Sequence, residues 1–458
     1  MRKVVRHIIG EGETARHRIE TAIITVATAL AMLTGVGQYV VDSHGNFGDA
    51  DHLAALSLVM SGVPNNATPV TFIDVDDKTR VAWKATGVTP HGALAALVKQ
   101  AADNGAKSIL FDFDLTPSST DQKADPGLAA LLRDYPANAP DLLLARNIRF
   151  VRSTAAGGEK EVQAASAAPT PYDLDAAGKP NIRWVTTLND IGKDRAVRRI
   201  KLWQTVCDGA SGTAYPSAAL VMAALPEKGQ NHQADLAAFL KSRVDVECGH
   251  KPITAPPWPP VRDAVAQLPY VFADTRETPA LFRIEVNGRD TVALRRISAG
   301  LLVKYENDVA QAAGDIDRDP FEGRAVIVGA SYTDSGDIYE TPFGTMPGAL
   351  VLANSVVQAR AIVETAPVSP LTENVLAMVL FLLLAYIARA FVGAASILLL
   401  GIVTLAALFL ISRWLGFASG IDVIAVAVPG FALFKLVDSA IFIATSVPKH
   451  GWRAILRP

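Results

Sequence analysis

The longest apolar stretches of the chain lie near its two ends, and they predict membrane-spanning helices. Thr21–Val41 carries no charged residue and is about long enough to cross the hydrocarbon core of a bilayer as a helix. Three more apolar stretches follow near the C-terminus, at 371–388, 391–411 and 421–446. The chain between the first and second of these stretches, 42–370, has the mixed polarity of an ordinary globular domain. The pattern therefore predicts four transmembrane α-helices and one large domain.

Basic residues at both ends of the chain predict the sidedness of these helices. The first predicted span follows Arg2, Lys3, Arg6, Arg16 and Arg18, and the last one precedes Lys449, Arg453 and Arg457. By the positive-inside rule, segments 1–20 and 447–458 are cytoplasmic, and the large domain lies on the other side of the membrane. A cleaved signal peptide is the alternative for the N-terminus, although its charged region and its apolar core would both be unusually long.

Two opposite charges lie within the last predicted span. Lys435 and Asp438 are three residues apart and therefore share one helical face. We interpret them as a transmembrane ion pair that neutralises itself near the inner interface, and a polar contact between helices is the alternative.

Within the large domain, apolar strands alternate with amphipathic helices, which is the pattern of an α/β fold. The predicted strands are Pro69–Val75, Ala106–Phe113, Asp141–Ile148 and Arg324–Gly329, and the predicted helices are Pro90–Asn104, Asp125–Arg133 and Pro347–Val363. The first two strands and the helix between them form a βαβ unit, which predicts a pair of parallel strands. We therefore expect an extracytoplasmic α/β domain with a largely parallel sheet, and a surface excursion at Ser153–Lys179.

Acidic residues follow the carboxyl ends of the predicted strands. The candidate ligand-binding carboxylates are those of Asp74, Asp112, Asp114 and Asp337. Open parallel sheets bind ligands beyond the carboxyl ends of their strands, so neighbouring strands would bring these side chains into one crevice. There they could bind a cation or raise one another's pKa. The alternative role is capping of helices and turns, which we favour for Asp76, Asp77 and Asp334.

The remaining composition limits the chemistry. Cys207 and Cys248 could form one disulfide, worth roughly 3–4 kcal/mol in the loop-entropy model, or remain two unpaired thiols. The net charge of −2 gives no electrostatic case for nucleic acid. The histidines show no metal-ligand spacing. The sequence therefore leaves metal binding open and indicates no cofactor.

Six segments of the domain together carry a family resemblance. They are VTFIDVDD (70–77), NGAKSILFDFDL (104–115), DPGLAALLRD (125–134), DIGKDRAVRRIKLW (190–203), YPSAAL (215–220) and GRAVIVGASYTDSGDIYETPFGTMPGALVLANSVVQ (323–358). In this order they resemble the CHASE2 domain, an extracytoplasmic sensor module of bacterial signalling proteins, in which three transmembrane helices also follow the domain. The resemblance implies a multi-pass protein of the bacterial inner membrane whose main domain lies outside the cytoplasm.

The sequence departs from the family pattern in two places. His91 stands where an arginine is common, and only 447–458 follows the last predicted span, where family members usually carry a cytoplasmic kinase or cyclase. We therefore expect a separately encoded output protein. Arg198 and Arg199 lie in one of the resembling segments. They either meet the acidic crevice or bind an anion, or else they protect a solvated edge strand.

These observations favour a sensor that detects a ligand or envelope partner and signals through its transmembrane helices. A structural subunit of an envelope complex is the alternative. A haloacid-dehalogenase-like phosphatase, with Asp112 as nucleophile and Asp114 as acid/base, is less favoured because Leu115 replaces the usual glycine. We expect no enzymatic activity and no nucleic-acid partner. The expected partners are the membrane, a signalling or envelope protein and a small-molecule ligand, and homo-oligomerisation stays open.

Overall fold

A computed structural model describes most of the chain between residues 67 and 390. The described residues are 67–85, 87–117, 124–154, 161–191, 195–208, 211–226, 231–249, 258–259, 264–268, 283–286, 289–306, 309–312, 318–341, 343–364, 370–390 and a few positions between 400 and 431. Gly62–Pro367 forms one compact unit, and the long helix that follows belongs to a second unit.

Nineteen strands and ten α-helices make up the described secondary structure. The strands are β1 Val70–Val75, β2 Ser108–Phe111, β3 Asp141–Ala145, β4 Ile148–Thr154, β5 Glu161–Ala167, β6 Ile182–Val185, β7 Asn189–Ile191, β8 Val197–Lys201, β9 Trp203–Asp208, β10 Ser211–Pro216, β11 Val265–Gln267, β12 Arg283–Val286, β13 Arg289–Val292, β14 Leu294–Ser298, β15 Val303–Glu306, β16 Val309–Ala312, β17 Ala325–Ala330, β18 Ile338–Thr341 and β19 Gly344–Pro347. The helices are α1 Asp77–Ala82, α2 His91–Asp103, α3 Pro126–Arg133, α4 Asp173–Ala176, α5 Ala218–Ala224, α6 Gln233–Glu247, α7 Ala299–Leu302, α8 Gly348–Val357, α9 Ala359–Glu364 and α10 Pro370–Ala390.

The centre of the first unit is a parallel sheet of six strands in the order β14-β1-β17-β2-β3-β6. The α/β class with a largely parallel sheet is therefore confirmed. The prediction that β1 and β2 pair directly is wrong, because β17 lies between them. The first five residues of β17 are buried. A strand this apolar is stable where both of its faces are covered, which is the case at the centre of the sheet.

Helices cover both faces of this sheet. Ile109 and Phe111 of β2 pack in one core with α2 and α3. The alternate residues, such as Ser108 and Leu110, face the other side, where the Ser108 hydroxyl lies 3.0 Å from the sulfur of Met222 on α5. Helix α8 packs on this second face against β17 and β1. The result is a sandwich of three layers.

Two predicted segments differ from the structure. The predicted surface excursion at Ser153–Lys179 contains the second strand of the β4–β5 antiparallel hairpin and helix α4. The predicted helix Pro347–Val363 is two helices, α8 and α9, which are separated at Gln358. Gln358 is the C-cap of α8, and its N–H bonds back to carbonyl groups of that helix.

A disulfide lies outside the central sheet. Cys207 at the end of β9 and Cys248 after α6 are bonded, with their Cα atoms 5.5 Å apart. A Cβ at Gly212 on β10 would lie 2.8 Å from the sulfur of Cys248. The bond therefore depends on a glycine at this position, which lets the β9–β10 hairpin approach the end of α6.

The second unit contains helix α10, which covers the predicted span 371–388. One face of α10, with Ala377, Phe381 and Leu384, packs in an apolar cluster that includes Ala427. Within the described residues, no helix has both the length and the apolar character required to cross a membrane. The predicted span at 21–41 lies outside the described residues, and those at 391–411 and 421–446 lie largely outside them. Lys435 and Asp438 are also outside.

Candidate functional site

The candidate site lies at the carboxyl end of the parallel sheet, where β17 is inserted between β1 and β2. The chain leaves β2 towards α3 on one face of the sheet and leaves β17 towards α8 on the other, and such a divergence opens the crevice in which sheets of this kind bind ligands. Gly329 near the end of β17 carries no side chain, and a Cβ there would lie only 2.6 Å from the Cβ of Ala349. The first turn of α8 therefore rests directly on the end of the central strand.

Asp112 and Asp337 lie beside this turn of α8. The backbone N–H of Asp112 donates to Val328 over 2.8 Å, which continues the β2–β17 ladder. The side-chain Oδ2 of Asp112 would lie 3.6 Å from a Cβ at Gly329. The Asp337 carboxylate lies over Gly348, where a Cβ would be 2.2 Å from Oδ2. Gly348 also donates its N–H to the carbonyl of Asp337 over 2.8 Å. We call Asp112 and Asp337 the acid pair.

Two neutral polar side chains complete the surroundings of the acid pair. The Tyr339 hydroxyl on β18 donates to the carboxylate of Asp337 and accepts from the side-chain N–H of Asn189 on β7. Within the described residues, Oδ2 of Asp112 and Oδ1 of Asn189 are buried oxygens without a hydrogen-bond partner. Two unsatisfied acceptors in one cluster are costly, so the cluster suits a proton or another hydrogen-bond donor.

Burial dominates the electrostatics of the acid pair. It raises the pKa of Asp112 to about 8, and the nearby charge of Asp337 acts in the same direction. The pKa of Asp337 is also raised by burial, against the hydrogen bond from Tyr339. The pKa of Tyr339 is raised to about 12, by burial and then by Asp337. Asp112 retains some exposed surface as a residue, but its Oδ2 is out of contact with solvent. Burial and like charge therefore both favour a proton bound to the acid pair.

Asp74 forms a separate buried site on the other side of β17. Its Oδ2 accepts from Nη2 of Arg296 over 2.7 Å and from the Ser331 hydroxyl over 2.8 Å. Burial raises the pKa of Asp74, and Arg296 opposes that shift. Insertion of β17 places β1 and β2 two strand spacings apart, roughly 10 Å. The expected single crevice is therefore two sites, one neutralised by an arginine and one not.

The other acidic candidates bond to the backbone of turns and helices. Asp76 is the N-cap of α1 and accepts from the N–H of Thr79 over 2.7 Å. Asp77 accepts from the N–H and the hydroxyl of Thr333. Asp114 is exposed, accepts from the N–H of Thr116 over 2.8 Å, and pairs with Asn147. None of these contacts brings the three side chains into the acid pair.

Of the basic candidates, Arg199 has a carboxylate partner outside the acid pair. Arg199 forms an ion pair of 2.6 Å with Asp190 on the adjoining strand β7. Strand β8 lies between β11 and β7, so these arginines do not protect an edge strand. The side chain of Arg198 is outside the described residues. Nδ1 of His91 lies 2.7 Å from the Tyr172 hydroxyl, and burial lowers the pKa of this histidine.

Sequence reasoning missed three contributors to these sites. Arg296 lies 222 residues from Asp74 along the chain, and no local pattern indicates that pairing. Tyr339 lies two residues after Asp337 on an extended segment, and this spacing could have suggested it. Gly348 at the start of α8 was also missed. Its role becomes visible only when the carboxylate that lies over it is placed.

Among the described residues, no group of three or more acidic, histidine or cysteine side chains could hold a metal ion. The acid pair and the neighbouring Tyr339 together offer two carboxyl groups and a phenol, which can exchange protons and accept hydrogen bonds.

The fold and the site together define a class of protein: a parallel α/β domain with a buried acidic cluster at its topological switch point. The CHASE2 domain model matches residues 24–388, which is more than half of the chain. The chain belongs to the CHASE2 family. CHASE2 domains are extracytoplasmic sensor domains, and this membership supports a sensory role. Comparison with curated proteins and with solved structures gave no significant match.

Proposed function

We propose that this chain is a membrane-anchored extracytoplasmic sensor of the bacterial inner membrane. In this proposal its domain detects a ligand or an envelope partner, and its transmembrane helices pass the signal to a separately encoded protein. The observation that carries the proposal is the incompletely satisfied acid pair beside the first turn of α8, within a domain of the CHASE2 family.

The position of α8 in the chain supports this proposal. The helix begins beside the acid pair at Gly348, and α9 ends at Glu364, with five residues between it and the start of α10. Helix α8 is buried along its length, so a shift of its first turn is transmitted as a rigid movement rather than absorbed at a surface. A ligand can bias such a movement only by its difference in affinity for the two positions.

The proposed topology has four transmembrane helices, at 21–41, 371–388, 391–411 and 421–446, with both ends of the chain in the cytoplasm. It rests on the apolar stretches and on the basic residues at the two ends. A reporter fused at Gly157 should be active outside the cytoplasm. A reporter fused after Pro458 should be active only inside, and the reverse result would reject this sidedness.

Co-purification is the direct test of the output. The tagged full-length chain, cross-linked in its native membrane, should retain a signalling or envelope protein. A variant of the acid pair, Asp337→Asn, should alter that association, while Asp334→Asn, an exposed change in the same loop, should not. Equal co-purification of the partner with wild type and with both variants would favour the structural-subunit alternative. Phosphatase activity with Mg²⁺ that is lost in Asp112→Asn would instead favour the enzyme.

A further inference from the structure

The two members of the acid pair are held in different ways. Asp112 is fixed by the β2–β17 ladder through its backbone N–H. Asp337 follows a 3₁₀ turn, Thr333–Ser335, and precedes the β18–β19 hairpin. Its own carbonyl accepts the N–H of Gly348, the first residue of α8. A displacement of Asp337 would therefore remove the hydrogen bond that joins this loop to the start of the helix.

No ion pair among the described residues compensates the repulsion within the acid pair. The charge of Asp337, in the loop after β17, raises the pKa of Asp112. The hydrogen bond from Tyr339 on β18 lowers the pKa of Asp337. Helix α8 contributes its N-terminal peptide groups, whose partial positive charge favours an anion beside it. On the β1 side, Asp74 is already paired with Arg296. The helix terminus can stabilise one carboxylate, but two carboxylates in this buried space repel each other.

We propose that the acid pair is a proton sensor: with one proton bound, Asp337 stays seated on the first turn of α8, and loss of that proton displaces the Asp337 loop and loosens this turn. A proton fits a buried cluster that has unsatisfied acceptors and needs no larger cavity. The inference deepens the proposed sensor function and rests on it for its biological meaning, because it names the proton as the signal that the domain detects.

The direction of the switch follows from the chemistry. The acid pair loses its one bound proton to water and becomes two carboxylates, and nothing else is exchanged. The backbone of Asp112 is held in place, because its N–H bonds to the carbonyl of Val328 at the end of the sheet ladder. Asp337 is the member that moves, and it takes the carbonyl partner of Gly348 with it. An Asp112→Asn change imitates the protonated state of Asp112. It should therefore keep Asp337 seated on the first turn of α8 at every pH.

The experiment follows protons and movement in the same samples of the full-length chain in detergent. Infrared spectra should show a protonated carboxyl band near pH 6 that disappears as the pH rises through about 8. Hydrogen exchange of residues 344–352, corrected for intrinsic rates, should show about tenfold lower protection at about pH 9 than at about pH 6. Asp112→Asn and Asp337→Asn should each diminish the band and keep the high protection, while Asp334→Asn should behave as wild type.

Two results would overturn the inference. One is a wild-type protein without a titrating carboxyl band. The other is protection of the first turn of α8 that does not change with pH, or that changes equally in Asp112→Asn. Neither measurement needs a partner protein. A working proton switch in a chain that associates with no output protein would therefore leave the switch intact and reject only the sensor function.

Discussion

Replacing Asp112 by asparagine should change how the stability of the domain depends on pH. In the folded protein burial raises the pKa of Asp112 to about 8, from an ordinary value of 3.8. Between these two values the native state keeps a proton that the unfolded chain releases. Stability is therefore present at low pH and is lost as the pH rises towards the folded pKa.

The size of this effect follows from the slope of the free energy of unfolding against pH. One extra proton on the native state lowers the free energy of unfolding by about 1.4 kcal/mol for each pH unit. From about pH 5 to about pH 7 the wild-type free energy of unfolding should fall by about 3 kcal/mol through this proton. The Asn variant has no such proton and should not show this decrease. Relative to wild type, its melting temperature should thus rise by roughly 5–10 °C over that interval.

Titrating groups outside the acid pair contribute as well, and a difference measurement removes their contributions. Burial lowers the pKa of His91, so its contribution is lost as the pH falls below about 6.5, opposite in sign to that of Asp112. The pKa of Asp173 is lowered by its hydrogen bond from Arg146, against a desolvation effect that raises it. Its contribution is lost only in more acidic solution. Both groups are present in wild type and variant and cancel in the difference.

The assay is thermal unfolding of the full-length protein in detergent across this pH range. Asp334→Asn serves as the control, because it removes an exposed carboxylate from the same loop and should follow wild type. A constant difference in melting temperature between Asp112→Asn and wild type at every pH would refute the reasoning, since it would mean that Asp112 has the same pKa in the folded and unfolded states.

Three further predictions concern single contacts, each measured by the free energy of unfolding. Gly329→Ala should destabilise the domain by about 1–3 kcal/mol, because its Cβ would lie 2.6 Å from that of Ala349; an unchanged stability would show that α8 can shift freely. Joint replacement of Cys207 and Cys248 by serine should cost roughly 4 kcal/mol for a separation of 41 residues; equal stability of the oxidised and reduced wild type would contradict this. Asp76→Ala should cost about 1 kcal/mol through loss of the α1 cap, and a neutral result would show that water replaces it.

The sequence pattern predicts strand content better than strand order. The apolar run in β17 indicates a strand covered on both faces, and the structure confirms it. The same run cannot say which strands it separates, because that choice depends on the whole sheet. Strand β14 is half-polar, with the sequence LRRIS, and gives no such signal. Its place beside β1 is fixed by pairing over a long sequence distance.

The sequence pattern does not give strand order, and for this reason it could not predict that the acidic candidates fall into two separate sites. The carboxyl ends of parallel strands lie at one edge of a sheet, and this rule places Asp74, Asp112 and Asp337 on that edge. The rule does not give their separation. Because β17 lies between β1 and β2, Asp74 is near Arg296 and Asp112 is near Asp337. Distant pairing therefore decides which carboxyl group is neutralised.

The contrast between these two sites indicates which buried acid is poised to respond. Burial raises the pKa of both Asp74 and Asp112. At Asp74 the fold supplies a guanidinium and a hydroxyl to the same oxygen, so a change of protonation there would break an ion pair that ties β1 to β14. At Asp112 the nearest charge, that of Asp337, is of the same sign. An acid that destabilises the native state when ionised, beside the first turn of a buried helix, changes its protonation near its raised pKa of about 8. That property is of little use to a structural anchor, and it is the property that a sensor requires.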